Sequence, residues 1–150
     1  MNRIPLVCLI PLFVLAAAAC GSSPAPAPAP VAAQAAADYY TGHWRGLADL
    51  TSPIPDAPSQ MDISVTIVND GQCGSFEYGA LACSGVWTCN SRFDASAMSI
   101  TETVRYGAER CATGARVELR ATDDPNQLQI IYQGAGVTAT GTLQRNDVQY

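Results

Sequence analysis

Short segments in which apolar and polar residues alternate one for one fill the chain after residue 39, and this pattern restricts it to a β-sheet fold. The clearest segment spans residues 61–67, where the odd-numbered positions are apolar and the even-numbered ones are polar. A period of two is typical of a strand with one buried face. No helical period of useful length follows the N-terminal apolar segment, so we expect an all-β domain.

The turn residues divide this region into eight strands. Asn69-Asp70-Gly71 is the strongest hairpin signal, and similar groups of turn residues separate the other segments. The predicted strands are 41–50, 60–68, 71–78, 84–91, 97–105, 112–122, 127–133 and 136–145. Links this short make neighbours antiparallel, and a meander of eight strands removes both sheet edges by closing into a barrel. An open sandwich is the alternative.

One connection is longer than the others and contains three prolines. It runs from Thr51 to Ser59 and cannot continue either neighbouring strand, because proline lacks the backbone N–H that a sheet ladder needs. We expect it to cross one end of the barrel. It is either a lid or contact loop, or simply a rigid crossover.

The N-terminal segment predicts export. Residues 1–19 combine Arg3 with an apolar stretch shorter than the roughly 20 residues of a membrane-spanning helix, as in a signal peptide. Small residues then precede Cys20, which resembles the lipobox of bacterial lipoproteins, although Ala17 stands where those proteins prefer leucine. We therefore expect Cys20 to carry the lipid, palmitate included. An ordinary signal peptide with an incidental Cys20 thiol is the alternative.

Domain organisation follows from the same region. Proline and alanine alternate from Pro24 to Pro30, so residues 20–38 are predicted to form an extended tether before a barrel domain over residues 39–147. The expected location is the cell envelope, with the anchor in the outer membrane and the domain facing the periplasm or the cell surface. Four cysteines then remain in the domain, an even number that suits disulfides in an oxidising compartment.

The charge of the chain limits its partners. Thirteen acidic and eight basic residues give a net charge of −5, and loss of Arg3 with the signal would leave only seven basic residues. An acidic surface repels nucleic acid and anionic lipid head groups, so no nucleic-acid partner is expected. It suits a basic protein partner, although the composition is equally compatible with a bias of the genome.

Both ends of the domain resemble a known barrel superfamily. Gly42-His43-Trp44 opens the first strand, and Leu143-Gln144-Arg145 closes the last one. This pairing resembles the calycins, which include the lipocalins and avidins. The resemblance implies that Trp44 packs inside a closed end and that the Arg145 guanidinium crosses it, an arrangement that cation–π attraction favours.

A second resemblance covers nearly the whole domain. The chain is similar to a small extracytoplasmic domain of bacterial lipoproteins and of some actinobacterial serine/threonine kinases, through the residues Gly42-x-Trp44-x-Gly46, Phe76-x-Tyr78-Gly79-x-Leu81-x-Cys83-x-Gly85, Thr101-Glu102, Gly107, Cys111 and Leu143-x-Arg145. The resemblance implies a Cys83–Cys111 disulfide and leaves Cys73 to pair with Cys89, in a register that places Ser75 opposite Trp87. Sequence alone leaves three connectivities open.

No pattern of residues indicates an active site, a metal site or a cofactor. The four cysteines are separated by nine, five and twenty-one intervening residues, without the close pairs of a zinc site. Asp123 to Asn126 lacks the longer ligand loop of a calcium site and is interpreted as a turn. His43, the only histidine, falls on the outward face of its strand, and no nucleophile motif accompanies it. We expect no enzymatic activity.

Glu102 is a charged residue on an inward position. It shares the face of the apolar residues between Met98 and Val104, and burying an unpaired carboxylate costs several kcal/mol. One hypothesis pairs it with Arg145 or Arg120 in a buried ion pair at the closed end. The other makes it a polar anchor inside a ligand cavity.

The expected contents of the barrel decide between functions. The candidates for inward positions are Trp44, Met61, Ile63, Phe76, Tyr78, Met98, Ile100, Leu119, Ile130 and Tyr132, with Trp87 as a further candidate. A barrel filled by so many large side chains favours a binding module that contacts an envelope or secreted protein, in the manner of an inhibitor or immunity protein. A hollow one favours a lipocalin-like carrier of a small apolar ligand, and a structural or sensory component is the third possibility.

Overall fold

A computed structural model describes residues 30–53, 55–69, 72–90 and 96–146 of the chain. These residues form one helix followed by eight strands: α1 (Pro30–Tyr40), β1 (Gly42–Thr51), β2 (Gln60–Ile67), β3 (Gly74–Tyr78), β4 (Cys83–Cys89), β5 (Ala97–Tyr106), β6 (Arg116–Ala121), β7 (Gln127–Gly134) and β8 (Val137–Arg145).

The strands form a closed barrel in sequence order, and every ladder is antiparallel. Seven ladders join consecutive strands, and the eighth joins β1 to β8, where Trp44 pairs with Arg145 and Thr51 with Thr138. The all-β fold, the eight-stranded antiparallel meander and its closure into a barrel are therefore confirmed. The sandwich alternative is wrong because no sheet edge remains.

Side chains alternate along each strand between the barrel interior and the solvent. In β2, Met61, Ile63, Val65 and Ile67 are buried, and Asp62 between them is exposed. All the inward candidates of the sequence analysis, Trp87 included, are buried. Large side chains therefore fill most of the barrel interior.

Two strands are shorter than predicted by three residues or more. β6 begins at Arg116 rather than at residue 112, because residues 107–115 turn back towards β5 and the Gly114 N–H donates to the Glu102 carbonyl over 2.9 Å. β3 begins at Gly74 rather than at residue 71. Gly74 has a φ of +126°, a conformation that glycine adopts without strain. The alternation is interrupted there, so Cys73 is buried although strict alternation would place it outside.

Both disulfides are confirmed. Cys73 is joined to Cys89 with 5.3 Å between their Cα atoms, and Cys83 to Cys111 with 6.4 Å. The register inferred from the first bridge is wrong by one residue, since Ser75 lies opposite Val86 and Trp87 lies opposite Gly74. The positive φ of Gly74 accounts for the difference. It turns the Cys73 side chain towards Cys89 although these two cysteines are not opposite each other in the ladder.

Helix α1 replaces part of the chain that was expected to be an extended tether. Proline is favoured at the first position of a helix, and alanine is the best helix former, so Pro30 and the alanines after it suit this structure. Ala36, Ala37 and Tyr40 are buried, so the helix belongs to the folded domain. The helical pattern of apolar residues in α1 extends over only a few turns. The alternation of proline and alanine before it makes this pattern hard to recognise in the sequence.

The predicted signal peptide (residues 1–19) and lipidated Cys20 lie outside the described residues, as do the first part of the tether and residue 147 at the end of the predicted domain. Within the described part of the chain, no helix has both the length and the apolar character that a membrane crossing requires.

Candidate functional site

The two ends of the barrel differ in construction. We call the end where β1 begins and β8 ends the base, and the opposite end the mouth. Helix α1 packs against the base. The mouth carries four connections: the proline-containing loop 52–59, the turn 79–82, the loop 107–115 and the turn at Ala135–Gly136.

Trp44 and Arg145 meet at the base. The central carbon of the Arg145 guanidinium lies 4.2 Å from the centroid of the Trp44 ring. The guanidinium also donates hydrogen bonds to the carbonyls of Thr41 (2.8 Å) and Tyr39 (2.6 Å), where α1 ends. The indole N–H of Trp44 donates to the Tyr40 carbonyl over 2.8 Å. These contacts satisfy carbonyls that the helix leaves open, and a cation there also complements the helix dipole.

A tyrosine fixes the other side of α1. The Tyr39 hydroxyl accepts a hydrogen bond from the Thr122 N–H over 3.1 Å and lies within 3.2 Å of the carbonyls of Thr122, Asp124 and Gln127. Thr122 and Asp124 belong to the β6–β7 connection, and Gln127 is the first residue of β7. The helix is therefore tied to two separate parts of the base, which closes this end of the barrel.

Glu102 lies in the interior, on the mouth side of β5, and is only 1% exposed. Its Oε1 accepts hydrogen bonds from the Tyr78 hydroxyl and from the indole N–H of Trp87, the latter over 2.9 Å. Its Oε2 is buried and has no hydrogen-bond partner among the described residues. The carboxyl thus has two neutral donors on one oxygen and none on the other.

The predicted ion pair of Glu102 is wrong. Arg145 is occupied at the base, and Arg120 lies on the outer surface, where it contacts Glu118 over 2.6 Å. The side chain of Arg120 alternates with the buried Leu119 and therefore cannot reach the interior. Aromatic donors from β3 and β4 take the place of the expected guanidinium.

Burial governs the protonation of this cluster. It raises the pKa of Glu102 from 4.5 to about 7, against the hydrogen bonds from Tyr78 and Trp87, which lower it. Burial, followed by the nearby Glu102 charge, raises the pKa of Tyr132 to about 12 and that of Tyr78 well above its usual value. Near neutral pH, Glu102 is the only one of these three groups that titrates.

A small pocket opens at the mouth, with a cavity volume of about 130 Å³. We call it the mouth pocket, and its lining consists of Leu50, Ser52, Ala57, Pro58, Met61, Leu81, Arg110, Cys111, Ala112, Tyr132, Gly134, Ala135 and Val137. Most of these side chains are apolar. The Cys83–Cys111 bridge and the prolines of loop 52–59 hold two of its walls, so the pocket is preformed.

Tyr132 separates the mouth pocket from the Glu102 cluster. Its ring lines the pocket and makes an edge-to-face contact with Tyr78, with 6.1 Å between the centroids. A Cβ atom on Gly134 would lie 3.0 Å from the Tyr132 hydroxyl and 2.6 Å from the Ala115 Cβ. The absence of a side chain at Gly134 therefore leaves the space that the Tyr132 hydroxyl occupies.

A larger depression, of about 360 Å³, lies on the outer face of β2–β5. A β-bulge at Arg105 displaces the ladder there, and Tyr106 beside it is 75% exposed. Serine and threonine side chains cover much of its floor. It is open to solvent and has no buried polar group among its lining residues.

His43 is exposed on the outer face of β1, and its Nδ1 lies 2.9 Å from the Thr66 hydroxyl. No described nucleophile and acid accompany it in the arrangement of a catalytic triad. Among the described residues, no group of three or more histidine, cysteine or acidic side chains is placed to hold a metal ion.

Comparisons of the chain with known protein families, with curated proteins and with solved structures find no match.

Sequence reasoning identified Glu102 as an inward carboxyl but missed its partners and the mouth pocket. Tyr78 and Trp87 were both inward candidates, and the β4–β5 register places Trp87 directly opposite Glu102. That register was not predictable because of the bulge at Arg105. The pocket combines residues from five separate segments, and no local pattern indicates such a combination.

Proposed function

We propose that this protein is an exported, lipid-anchored and non-enzymatic binding module that contacts another envelope or secreted protein through the mouth of its barrel. The mouth pocket carries this proposal. It is preformed, mainly apolar and located at the end opposite the helix through which the chain enters the barrel. A tether attached to α1 would leave that end free for a partner.

The dimensions of the pocket favour a protein partner over a small apolar ligand. Sites for small molecules usually have volumes of roughly 300–1,000 Å³. The mouth pocket has about 130 Å³, and buried side chains fill the barrel below it. It suits one side chain of a partner, in the way that a protruding anchor residue fills a pocket at an interface. The carrier function would need an emptier interior.

The construction of the mouth supports the same interpretation. Loop 52–59 contains prolines, and the loop that carries Cys111 is joined to Cys83 by a disulfide. Loops held in one conformation lose little entropy on binding, so more of the contact energy is available for affinity. The resemblance to extracytoplasmic lipoprotein domains agrees with a role in the envelope.

Filling the pocket should abolish partner binding. We expect Ala57→Phe to weaken binding at least about tenfold, because the added ring occupies the space for the partner's anchor. The protein carrying Cys20→Ser, which removes the proposed lipid, would be used to capture partners from envelope extract. The affinity of each captured and purified partner would then be measured by calorimetry.

Ala108→Phe is the matched control, because Ala108 is exposed on the same end of the barrel and does not line the pocket. It should bind like the parent protein. A partner that binds Ala57→Phe as tightly as the parent would exclude the mouth as the interface.

A soluble fragment for this work should begin at or before Pro30, because a start at residue 37 would cut through α1.

Lipidation at Cys20 is tested separately. Cells fed an alkyne analogue of palmitate should label the wild-type protein, which should partition into the detergent phase. We expect Cys20→Ser to lose both properties because it lacks the acylated thiol, whereas Cys8→Ser, within the predicted signal, should keep them. Label retained in Cys20→Ser would contradict the proposed anchor.

A further inference from the structure

The free oxygen of Glu102 calls for an explanation. Its residue is almost wholly buried, both donors are on Oε1, and Oε2 has no hydrogen-bond partner among the described residues. Buried polar atoms in native proteins are nearly always hydrogen-bonded, and a functional role is one explanation for an exception. An acceptor oxygen held ready in this way suits a donor that arrives from outside.

Tyr132 borders the mouth pocket and also contacts Tyr78 of this cluster. Its hydroxyl makes no hydrogen bond within the described part of the chain, its ring borders the pocket, and Glu102 acts on it electrostatically. The ring lies between the pocket and the cluster, so a ligand that reaches Glu102 from the pocket must displace it. The hydroxyl oxygen would then be a second acceptor on the same path.

We propose that the mouth pocket and the Glu102 carboxylate form one recognition site for a primary ammonium group on an apolar stem, such as a lysine side chain inserted by a protein partner. This inference rests on the proposed function and names the anchor that the partner provides.

The chemistry of the site matches both parts of such a group. Apolar walls from Pro58, Leu81 and Val137 accept the methylene stem, as happens wherever lysine packs its chain on apolar surface. An ammonium group has three donors and no acceptor. Glu102 Oε2 and the Tyr132 hydroxyl oxygen provide acceptors for two of them. A buried charge needs an opposite charge beside it, and Glu102 is the only buried charged residue in the described structure.

The positive charge at the rim of the pocket is paired with a neighbouring acidic residue. Arg110 lines the pocket, but its guanidinium contacts Glu109 over 3.1 Å and donates to the Ala82 carbonyl over 3.0 Å. The whole chain carries a net charge of −5, which attracts a basic partner over longer distances.

The test uses n-pentylammonium as the probe and its neutral counterpart 1-pentanol as the reference. Each would be titrated into the full chain carrying Cys20→Ser at pH 8, with amide shifts of Tyr132, Gly134 and Ala135 followed by NMR. We expect saturable shifts and an affinity about tenfold higher for n-pentylammonium, since a charge-assisted hydrogen bond adds about this factor.

Protonation of Glu102 should remove the preference. Tyr78 and Tyr132 are the other titratable groups that face it, and their raised pKa values keep them neutral between pH 5.5 and pH 8. The probe stays charged throughout this range. We expect the advantage of n-pentylammonium over 1-pentanol to disappear at pH 5.5 in the parent protein and at both pH values in Glu102→Gln. Glu77→Gln, on the exposed face of β3, should behave like the parent.

Equal affinity for the two probes at pH 8, or undiminished n-pentylammonium binding by Glu102→Gln, would overturn the inference. The capture experiment with Ala57→Phe is independent of these probes. If the mouth variant loses its partner but the ammonium preference is absent, only the present inference fails. If the preference is present but no partner depends on the mouth, the proposed function fails instead.

Discussion

The protein should be more stable at pH 5 than at pH 8 by about 3 kcal/mol, and Glu102→Gln should remove this difference. Burial raises the pKa of Glu102 in the folded protein to about 7, from an ordinary value of 4.5. Each unit corresponds to about 1.4 kcal/mol. The expected loss is a substantial fraction of the roughly 5–15 kcal/mol by which a typical domain is stable.

The direction follows from the protons bound in each state. Between pH 4.5 and pH 7 the folded protein retains the Glu102 proton, whereas the unfolded chain has lost it. The free energy of unfolding therefore falls as pH rises through this window. Below pH 4.5 Glu102 is protonated in both the folded and the unfolded state, and above pH 7 it is ionised in both. Its contribution to the free energy of unfolding is therefore constant outside this window.

Urea unfolding at several pH values, with both disulfides intact, measures this dependence. Glutamine presents a neutral oxygen to Tyr78 and Trp87 and does not titrate, so the variant should match the parent at pH 5 and exceed it at pH 8. Glu77→Gln is the control, because the exposed Glu77 gains nothing from burial. A Glu102→Gln protein with the same fall in stability as the parent would show that other groups cause it.

Arg145→Ala should destabilise the protein by about 2–4 kcal/mol and release α1 from the base. The substitution removes two hydrogen bonds from a charged donor to the carbonyls of Tyr39 and Thr41 and the contact with the Trp44 ring. Hydrogen bonds to a charged group contribute roughly 1.5–3 kcal/mol, and a cation–π contact about 0.5–2 kcal/mol. The uncovered carbonyls would no longer hold the end of the helix in place.

Two measurements separate local release from general loss of stability. Urea unfolding gives the free energy, and limited proteolysis should show new cleavage near the end of α1 under native conditions. Arg145→Lys keeps the charge but cannot bridge both carbonyls in the same geometry, so an intermediate loss is expected. Arg116→Ala, on the exposed face of β6, should change stability by less than about 0.5 kcal/mol. An Arg145→Ala protein as stable and as protease-resistant as the parent would contradict this account of the base.

The barrel itself was predictable because the alternation of apolar and polar residues is a local pattern, and the folded strands keep it. Residues 61–67 show it without interruption, and β2 follows it to the residue. Closure was predictable because an eight-stranded meander otherwise leaves two unpaired edges. The disulfide pairing came from the resemblance, since spacing alone allows three arrangements.

The remaining features depend on contacts between distant segments. A left-handed Gly74 shifts the β3–β4 register by one residue, and a bulge at Arg105 shifts the β4–β5 register. Either shift is enough to change which side chain meets Glu102. The alanine-rich stretch of α1 favours a helix and is visible in the sequence. The packing of this helix against Trp44 depends on tertiary contacts that leave no local sequence pattern.

The pairing of β1 with β8 also has a consequence for how the chain folds. Seven ladders can form between neighbours as the polypeptide emerges, but the last must join residues 44–51 to residues 138–145. Such distant pairing is slow because loop-closure entropy is lost before any contact compensates for it. Strand β1 therefore keeps an unpaired edge until β8 is available. A product truncated before β8 would expose two unpaired strand edges, through which it could aggregate.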